Sequence, residues 1–195
     1  MSQSVHDPPP PIDWIPASDF ADDLPGSVGL TVLPGKRGPS VRYPGRIYRG
    51  NVDDDLAALR AAGIVRLVLL VDDRELRRWG DASLVERAAA LGIEVDRHPI
   101  TDGFPPRDNA AMRAILGSIA EARARGQVAV ACMGGVGRSG TVAACALVAA
   151  GWDANAAIGH VRRLRHPTAV ETPAQEQFVR KFHLEEQGLR AKVPT

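Results

Sequence analysis

From residue 47 onward, short apolar runs with the character of strands alternate with longer stretches of helical periodicity. The apolar runs at 64–71, 93–100 and 127–132 predict buried strands. The predicted helices cover 53–62, 83–91, 109–125, 139–150, 153–164 with Asp153 as N-cap, and a last helix that follows Thr172 as N-cap and Pro173. This alternation predicts an α/β fold with a central, mostly parallel (mixed) sheet flanked by helices.

Proline marks the N-terminal boundary of the predicted domain. Residues 1–26 contain four consecutive prolines and are interpreted as an irregular, Pro-rich N-terminal arm. Residues 29–50 predict short extended pieces broken by Pro-Gly turns. One domain is therefore expected over 27–187, followed by a C-terminal tail over 188–195.

Composition limits the possible partners and the location. The net charge is +1, so no overall field favours nucleic acid or an anionic membrane, and we expect neither as a partner. The N-terminus lacks the basic and apolar regions of a secretion signal, and the chain has only two cysteines. We therefore expect a cytoplasmic protein with free thiols, and a monomer.

The most informative segment is the loop between the strand that ends at Cys132 and the helix that follows Arg138. Its glycines allow consecutive backbone N–H groups to point inward, and the next helix directs its N-terminal N–H groups at the same place. The Arg138 guanidinium adds a planar pair of donors that suits two phosphate oxygens. The predicted phosphate-binding residues are Met133, Gly134, Gly135, Val136, Gly137 and Arg138.

The same positive field acts on the Cys132 thiol. Lowering its pKa by roughly 2 to 4 units would convert a weak nucleophile into a thiolate at neutral pH. Such a thiolate can attack phosphorus and form a phosphocysteine. The alternative interpretation is a glycine-rich turn beside a structural cysteine.

The spacing of Cys132, five residues, Arg138 and Ser139 resembles the signature loop of the protein tyrosine and dual-specificity phosphatases. Over 29–184 the chain is similar to the kinase-associated phosphatase (cyclin-dependent kinase inhibitor 3) type. The segments that carry this resemblance are GLTVLPG, LAALRAAGIVRLVLL, HPITDGFPP, CMGGVGRSGTVAACALVAAG and TPAQEQFVRKF. The resemblance implies hydrolysis of phosphoprotein monoesters, of phosphotyrosine or phosphoserine/threonine, at a shallow site without metal or cofactor.

The resemblance also implies roles for three further residues. Asp102, 30 residues before Cys132, matches the general acid, with Asp108 as the alternative. Ser139 matches the residue that helps the sulfur leave, and its simpler role is to cap the helix. Gln175 matches a glutamine that orients the hydrolytic water, and its simpler role is that of an exposed helix residue.

Two positions depart from the family pattern. Ala131 stands where relatives have a histidine, and Glu171 stands where many have a glutamine. These departures keep a phosphate-recognition module with weak or no catalysis as an alternative function. The absence of lysine between Cys132 and Arg138 favours phosphorylated amino acids over polyphosphorylated lipids.

A few other residues have more than one interpretation. A small-molecule phosphatase or an arsenate reductase could use the same loop. An arsenate reductase would need a resolving thiol, for which Cys145 is the only candidate. Cys145 is more simply a core residue. The arginines at 162, 163 and 165 would attract an acidic substrate or form a solvated helix face.

Overall fold

The computed structural model describes residues 6–40 and 43–192. The strands in these residues are β1 (Asp13–Ile15), β2 (Val28–Val32), β3 (Arg37–Pro39), β4 (Ile47–Arg49), β5 (Ile64–Leu69), β6 (Glu94–Arg97) and β7 (Gln127–Cys132). The helices are α1 (Val52–Ala61), α2 (Asp73–Trp79), α3 (Leu84–Ala90), α4 (Asn109–Arg123), α5 (Arg138–Ala149), α6 (Ala154–Leu164) and α7 (Pro173–Arg190). In the described part of the chain, no helix combines the length and apolarity needed to cross a bilayer.

The main sheet has five strands in the order β1-β2-β7-β5-β6. Strands β2, β7, β5 and β6 are parallel, and only β1 is antiparallel to its neighbour. The predicted α/β fold with a mostly parallel, mixed sheet is therefore confirmed. Strand β7 lies at the centre of the sheet, so its carboxyl end lies between those of β2 and β5. Strands β3 and β4 form a separate antiparallel pair.

The two faces of the sheet are covered by different sets of helices. Alternate residues of β7 show the division, because Val128 and Val130 pack with α4 to α7, whereas Ala129 and Ala131 pack with α1 to α3. The first core contains α5, which is buried over most of its length. The helix that follows the loop is therefore held firmly against the sheet.

The predicted N-cap residues Asp153 and Thr172 are at the starts of their helices. The Asp153 carboxylate accepts hydrogen bonds from the backbone N–H groups of Asn155 and Ala156, as predicted. Thr172 and Gln175 form a reciprocal capping box at the start of α7, which confirms Thr172 as N-cap.

The interpretation of the N-terminal arm as irregular is wrong at Asp13–Ile15. These residues form edge strand β1, and Ile15 is fully buried against the sheet. Prolines on either side hid this strand, but an edge strand tolerates them because one of its sides needs no partner. Residues 1–5 of the arm lie outside the described residues.

Two helices also differ from expectation. The short helix α2 was not predicted, although Asp72 and Glu75 form a capping box at its start. Helix α7 continues to Arg190, into the segment predicted as a tail. Residues 193–195 of that tail lie outside the described residues.

Asp55 of α1 is a buried carboxylate outside the phosphate-binding loop. Its Oδ2 accepts a 2.7 Å hydrogen bond from the backbone N–H of Gly35, and its Oδ1 has no hydrogen-bond partner in the described structure. Burial is the main cause that raises the pKa of Asp55 from 3.8 to about 6. Between these two pH values the unfolded chain releases a proton that the folded chain retains. Stability therefore falls as the pH rises through this range.

Asp55→Asn is expected to increase the free energy of unfolding at pH 7.5 by about 1–3 kcal/mol. The amide oxygen still accepts from Gly35, but no charge has to be buried. Urea unfolding at pH 7.5 and at pH 3.5 measures this effect. The stabilisation should be largely lost at the lower pH, where the wild-type carboxyl is protonated in the folded state and mostly protonated in the unfolded state. Equal stability of the two proteins at pH 7.5 would contradict the raised pKa of Asp55.

Candidate active site

The predicted phosphate-binding loop leaves the centre of the sheet. Strand β7 ends at Cys132, and α5 begins at Arg138 after a turn of five residues. Gly137 is the N-cap of α5 and has no side chain that could bond the first N–H groups of the helix. The loop therefore has the arrangement that binds phosphate at a helix N-terminus.

The three glycines of the loop are not equivalent. Gly135 has a φ of +67°, and a Cβ added there would lie 2.5 Å from the carbonyl oxygen of Thr31. A Cβ at Gly137 would lie 2.5 Å from Oε2 of Glu171, whereas at Gly134 it would meet no atom of the described residues within 4 Å. Glycine is therefore required on steric grounds at Gly135, where the contact is with backbone, whereas the contact at Gly137 is with the end of the Glu171 side chain, which can move aside.

Cys132 is only 3% exposed, and its sulfur lies 3.2 Å from Oγ of Ser139. Burial by itself raises the pKa of this thiol. The charge of Arg138, the Ser139 hydroxyl and the backbone N–H groups of Ser139 and Gly134 outweigh burial and hold the pKa below its ordinary value. The direction predicted from the sequence is confirmed, and the sulfur has the electrostatic environment of a nucleophile.

Arg138 is buried beside this sulfur, with 1% of its side chain exposed. Its Nη1 and Nη2 each donate a 2.7 Å hydrogen bond to the Glu75 carboxylate, and Nη1 also donates to the carbonyl of Ile100 at 3.0 Å. Nε has no hydrogen-bond partner in the described structure. A buried N–H without an acceptor is costly, so this donor is available for a phosphate oxygen.

Asp102 lies on the loop between β6 and α4. Its Oδ1 is 3.0 Å from Nη2 of Arg138, and its side chain is 77% exposed. Asp108, the alternative acid, is instead the N-cap of α4 and accepts from the N–H of Ala111 at 2.7 Å. The structure thus brings Asp102, and not Asp108, to the arginine of the phosphate-binding loop.

A family model described as "Swiss Army Knife protein, DSP-PTPase phosphatase domain" matches residues 44–179. The chain belongs to this phosphatase family. Human cyclin-dependent kinase inhibitor 3 is 30% identical over 158 residues, which are 80% of this chain and 71% of the human protein. The rat protein of the same name is 28% identical over 174 residues, which are 88% of this chain and 77% of that protein.

Solved structures agree with this assignment. Kinase-associated phosphatase with its catalytic-site cysteine replaced by serine superposes with a TM-score of 0.75 at 26% identity, over 95% of this chain and 98% of that one. Tk-PTP in its active form superposes with a TM-score of 0.64 at 28% identity, over 85% of this chain and 95% of that one. The protein is a cysteine-dependent dual-specificity protein phosphatase of the kinase-associated type, as its sequence predicted.

Glu75 is a residue beside Arg138 that sequence reasoning missed. It lies on α2, and its carboxylate receives both Nη groups of Arg138 while it also accepts from the backbone N–H of Asp72 at 3.1 Å. The capping-box spacing of Asp72 and Glu75 could have revealed the helix. Nothing in the local sequence could have shown that the helix reaches Arg138.

Ser139 and Gln175 are both fully buried in the phosphatase. Gly137 caps α5, so the suggestion that Ser139 is the N-cap is wrong, and its hydroxyl faces Cys132 instead. Burial also excludes the exposed-residue alternative for Gln175. Its Oε1 accepts from the N–H of Glu171 at 2.8 Å, and its Nε2 donates to the carbonyl of Phe104 at 3.2 Å. Gln175 therefore links the start of α7 to the loop that carries Asp102, and its role in orienting water stays a prediction.

The two departures from the family pattern occupy different places. Ala131 is buried in β7 and packs in the core beneath α1 to α3, where its methyl group offers no hydrogen bond to the loop. The Glu171 side chain lines the active-site pocket beside Gly137. The loop must therefore be held by contacts other than a histidine at 131.

The pocket of the phosphatase has a volume of about 470 Å³. Cys132, Met133 and Arg138 lie among the loop residues that line it, and Asp102 and Glu171 line another part. The remaining wall carries aromatic and basic side chains that the sequence did not identify: Lys36, Tyr43, Tyr48 and Trp79. Lys36 Nζ lies 3.9 Å from the ring centroid of Tyr48.

Proposed function

We propose that this phosphatase hydrolyses phosphotyrosine, and phosphoserine or phosphothreonine, through a phosphocysteine on Cys132. The observation that carries the proposal is the Cys132 sulfur, which has a lowered pKa and lies beside Ser139 and Arg138 in one loop. The substrates are phosphoproteins or phosphopeptides. The assignment of the individual side chains to steps of the reaction is part of the same proposal.

In the first step, the Cys132 thiolate attacks phosphorus, so the S–P bond forms while the ester P–O bond breaks. The N–H groups of residues 133–138 and the unpaired Nε of Arg138 receive the phosphate oxygens. The Glu75 carboxylate and the Ile100 carbonyl accept hydrogen bonds from the Nη groups of the same arginine. Substrate can therefore bind Nε without displacing these contacts. Asp102 gives its proton to the leaving oxygen.

In the second step, water attacks the phosphocysteine. Asp102 removes a proton from this water, the S–P bond breaks, and inorganic phosphate leaves with the enzyme back in its thiolate form. The Ser139 hydroxyl, 3.2 Å from the sulfur, stabilises the negative charge that returns to it. Gln175 supports this step by holding the Asp102 loop through Phe104.

The alternatives from the sequence receive less support. Cys145 is completely buried, and burial raises the pKa of its thiol well above the ordinary value, so it is a poor resolving thiol for an arsenate reductase. A recognition module would not require the lowered pKa of Cys132. The cytoplasmic location, the monomeric state and the absence of nucleic-acid and membrane partners stay predictions.

Asp102→Asn tests the assignment of the acid, with Asp108→Asn as its matched control. In EDTA, we expect wild type to hydrolyse p-nitrophenyl phosphate, and Asp102→Asn to lower kcat about 10- to 100-fold because the leaving oxygen receives no proton. The loss should be greater with phosphopeptides, whose leaving groups are poorer. The asparagine introduced by the control can still cap α4, so the control should keep the wild-type rate.

Three results would contradict the proposal. If Asp108→Asn is the slow variant, the acid is misassigned. If both variants match wild type in kcat and in its pH profile, neither aspartate is the acid. If folded, reduced wild type binds phosphotyrosine peptide but does not turn over, the recognition-module alternative replaces the proposed function.

A further inference from the structure

Arg165, just beyond α6, connects the phosphate-binding loop to the N-terminal strand. Its Nε donates to the carbonyl of Gly135 at 2.8 Å, and its Nη2 donates to the carbonyl of Gly134 at 3.1 Å. Its Nη1 forms a 2.6 Å ion pair with Oδ2 of Asp13 on β1. Only 8% of the Arg165 side chain is exposed. The interpretation of Arg165 as part of a solvated helix face is therefore wrong.

These contacts fix the direction of two peptide groups. In a peptide unit, the C=O and the following N–H point in opposite directions. Arg165 draws the carbonyls of Gly134 and Gly135 to one side, which directs the N–H groups of Gly135 and Val136 to the other. The left-handed conformation of Gly135 allows this arrangement of neighbouring N–H groups, which is the geometry of an anion-binding nest.

Asp13 provides the charge that keeps Arg165 in place. A guanidinium that is almost buried needs an acceptor for each group of donors and a partner for its charge. The two loop carbonyls satisfy Nε and Nη2, and the Asp13 carboxylate satisfies Nη1. Asp13 is itself fixed by the pairing of β1 with β2, where it stands opposite Leu30.

We propose that Asp13 is a positioning residue for the phosphate-binding loop and acts on it through Arg165. The N-terminal segment is then part of the catalytic apparatus, although it lies outside residues 44–179 that match the family model. The inference rests on the proposed function, because it assumes that the loop residues bind phosphate and that Cys132 reacts.

The chain offers a matched control in the same segment. Asp22 forms an ion pair with Arg123 at 2.8 Å, and the Arg123 side chain is 3% exposed. Arg123 also donates to the carbonyl of Gly26, so this pair also ties the N-terminal segment to the body of the domain. These contacts join the N-terminal segment to α4 and not to the phosphate-binding loop. The Asp22→Ala variant therefore weakens the attachment of the N-terminal segment to the domain while it keeps the contacts of Arg165.

The experiment compares Asp13→Ala, Asp13→Asn and Asp22→Ala in the full chain. The first readout is kcat/KM with p-nitrophenyl phosphate together with competitive inhibition by inorganic phosphate. The second is the pH dependence of Cys132 alkylation by iodoacetamide, which reports the thiolate. Because the N–H of Gly134 contacts the sulfur, a displaced loop should also change this profile.

For Asp13→Ala we expect kcat/KM to fall about 10-fold, with weaker phosphate inhibition and an alkylation midpoint at higher pH. Asp13→Asn should show a smaller change in the same direction, since its amide oxygen still accepts from Arg165. Asp22→Ala should lose thermal stability but keep both readouts. If Asp13→Ala does not fold, Asp13→Asn carries the test.

Wild-type phosphate inhibition and a wild-type alkylation midpoint in a folded Asp13 variant would overturn the inference. Equal changes in the Asp22 variant would also overturn it, because the effect would then come from general loosening. Failure of the proposed function is detected by a separate result, because the Cys132→Ser variant would then still turn over substrate.

Discussion

Replacing Cys132 with serine should reduce turnover of p-nitrophenyl phosphate by about 10⁴-fold or more. The loop lowers the pKa of the Cys132 thiol and so favours its nucleophilic anion, but a serine hydroxyl starts from a much higher pKa and stays neutral in the same field. The Ser139 hydroxyl beside position 132 is a hydrogen-bonding partner and not a base that could activate a serine. The chemical step is therefore lost, while the phosphate-binding groups remain.

Two measurements separate loss of chemistry from loss of structure. Acid quenching of wild type during turnover of labelled substrate should trap a phosphoprotein, and the serine variant should give none. The variant should still bind phosphotyrosine peptide, because the N–H groups and Arg138 do not depend on the sulfur.

Cys145→Ala is the matched control. Cys145 is fully buried in α5, so this substitution tests for a general requirement for cysteine without altering the loop. We expect the control to retain wild-type kcat with some loss of stability. A Cys132→Ser protein that keeps more than about 1% of the wild-type rate would show that Cys132 is not the nucleophile.

The parts of the site that are contiguous in sequence could be predicted from the sequence. Strand β7, the loop and α5 follow one another directly, so their order alone places Cys132 beside a helix N-terminus and Arg138. The alternation of strands and helices similarly indicated the parallel core of the sheet, since parallel strands require crossovers of this kind. Capping signals at Asp153 and Thr172 placed two helices correctly.

The contacts that hold the loop could not be predicted, because their partners are distant in sequence. Glu75 reaches Arg138 across 63 positions, and Asp13 reaches Arg165 across 152. An acidic residue at the start of a helix, or an aspartate among prolines, has no local feature that marks its partner. Arg165 could not be distinguished from an arginine on a solvated helix face, because burial of a charged side chain depends on tertiary partners rather than on periodicity.

Gly135→Ala should lower kcat/KM by about 1,000-fold, the second largest effect we expect. Alanine is disfavoured by about 1–2 kcal/mol in the left-handed conformation that Gly135 adopts. Its Cβ would also lie 2.5 Å from the carbonyl oxygen of Thr31 and 2.6 Å from Nη2 of Arg165. The first of these atoms belongs to the backbone of β2 and cannot move aside, so the loop must move.

That movement would redirect the N–H groups of Gly135 and Val136 together, and removing a single oxyanion donor already costs about 10²–10³-fold in rate. Gly134→Ala is the control, because a Cβ there meets no atom of the described chain within 4 Å and Gly134 does not have a positive φ. Steady-state kinetics with p-nitrophenyl phosphate and thermal unfolding of both variants make the comparison. The control should stay within about threefold of wild type, a change of less than about 1 kcal/mol. If the two alanine variants are equally active, the left-handed turn at Gly135 is not what shapes the phosphate site. If only Gly135→Ala loses activity while it still folds, catalysis depends on the direction of these two peptide groups.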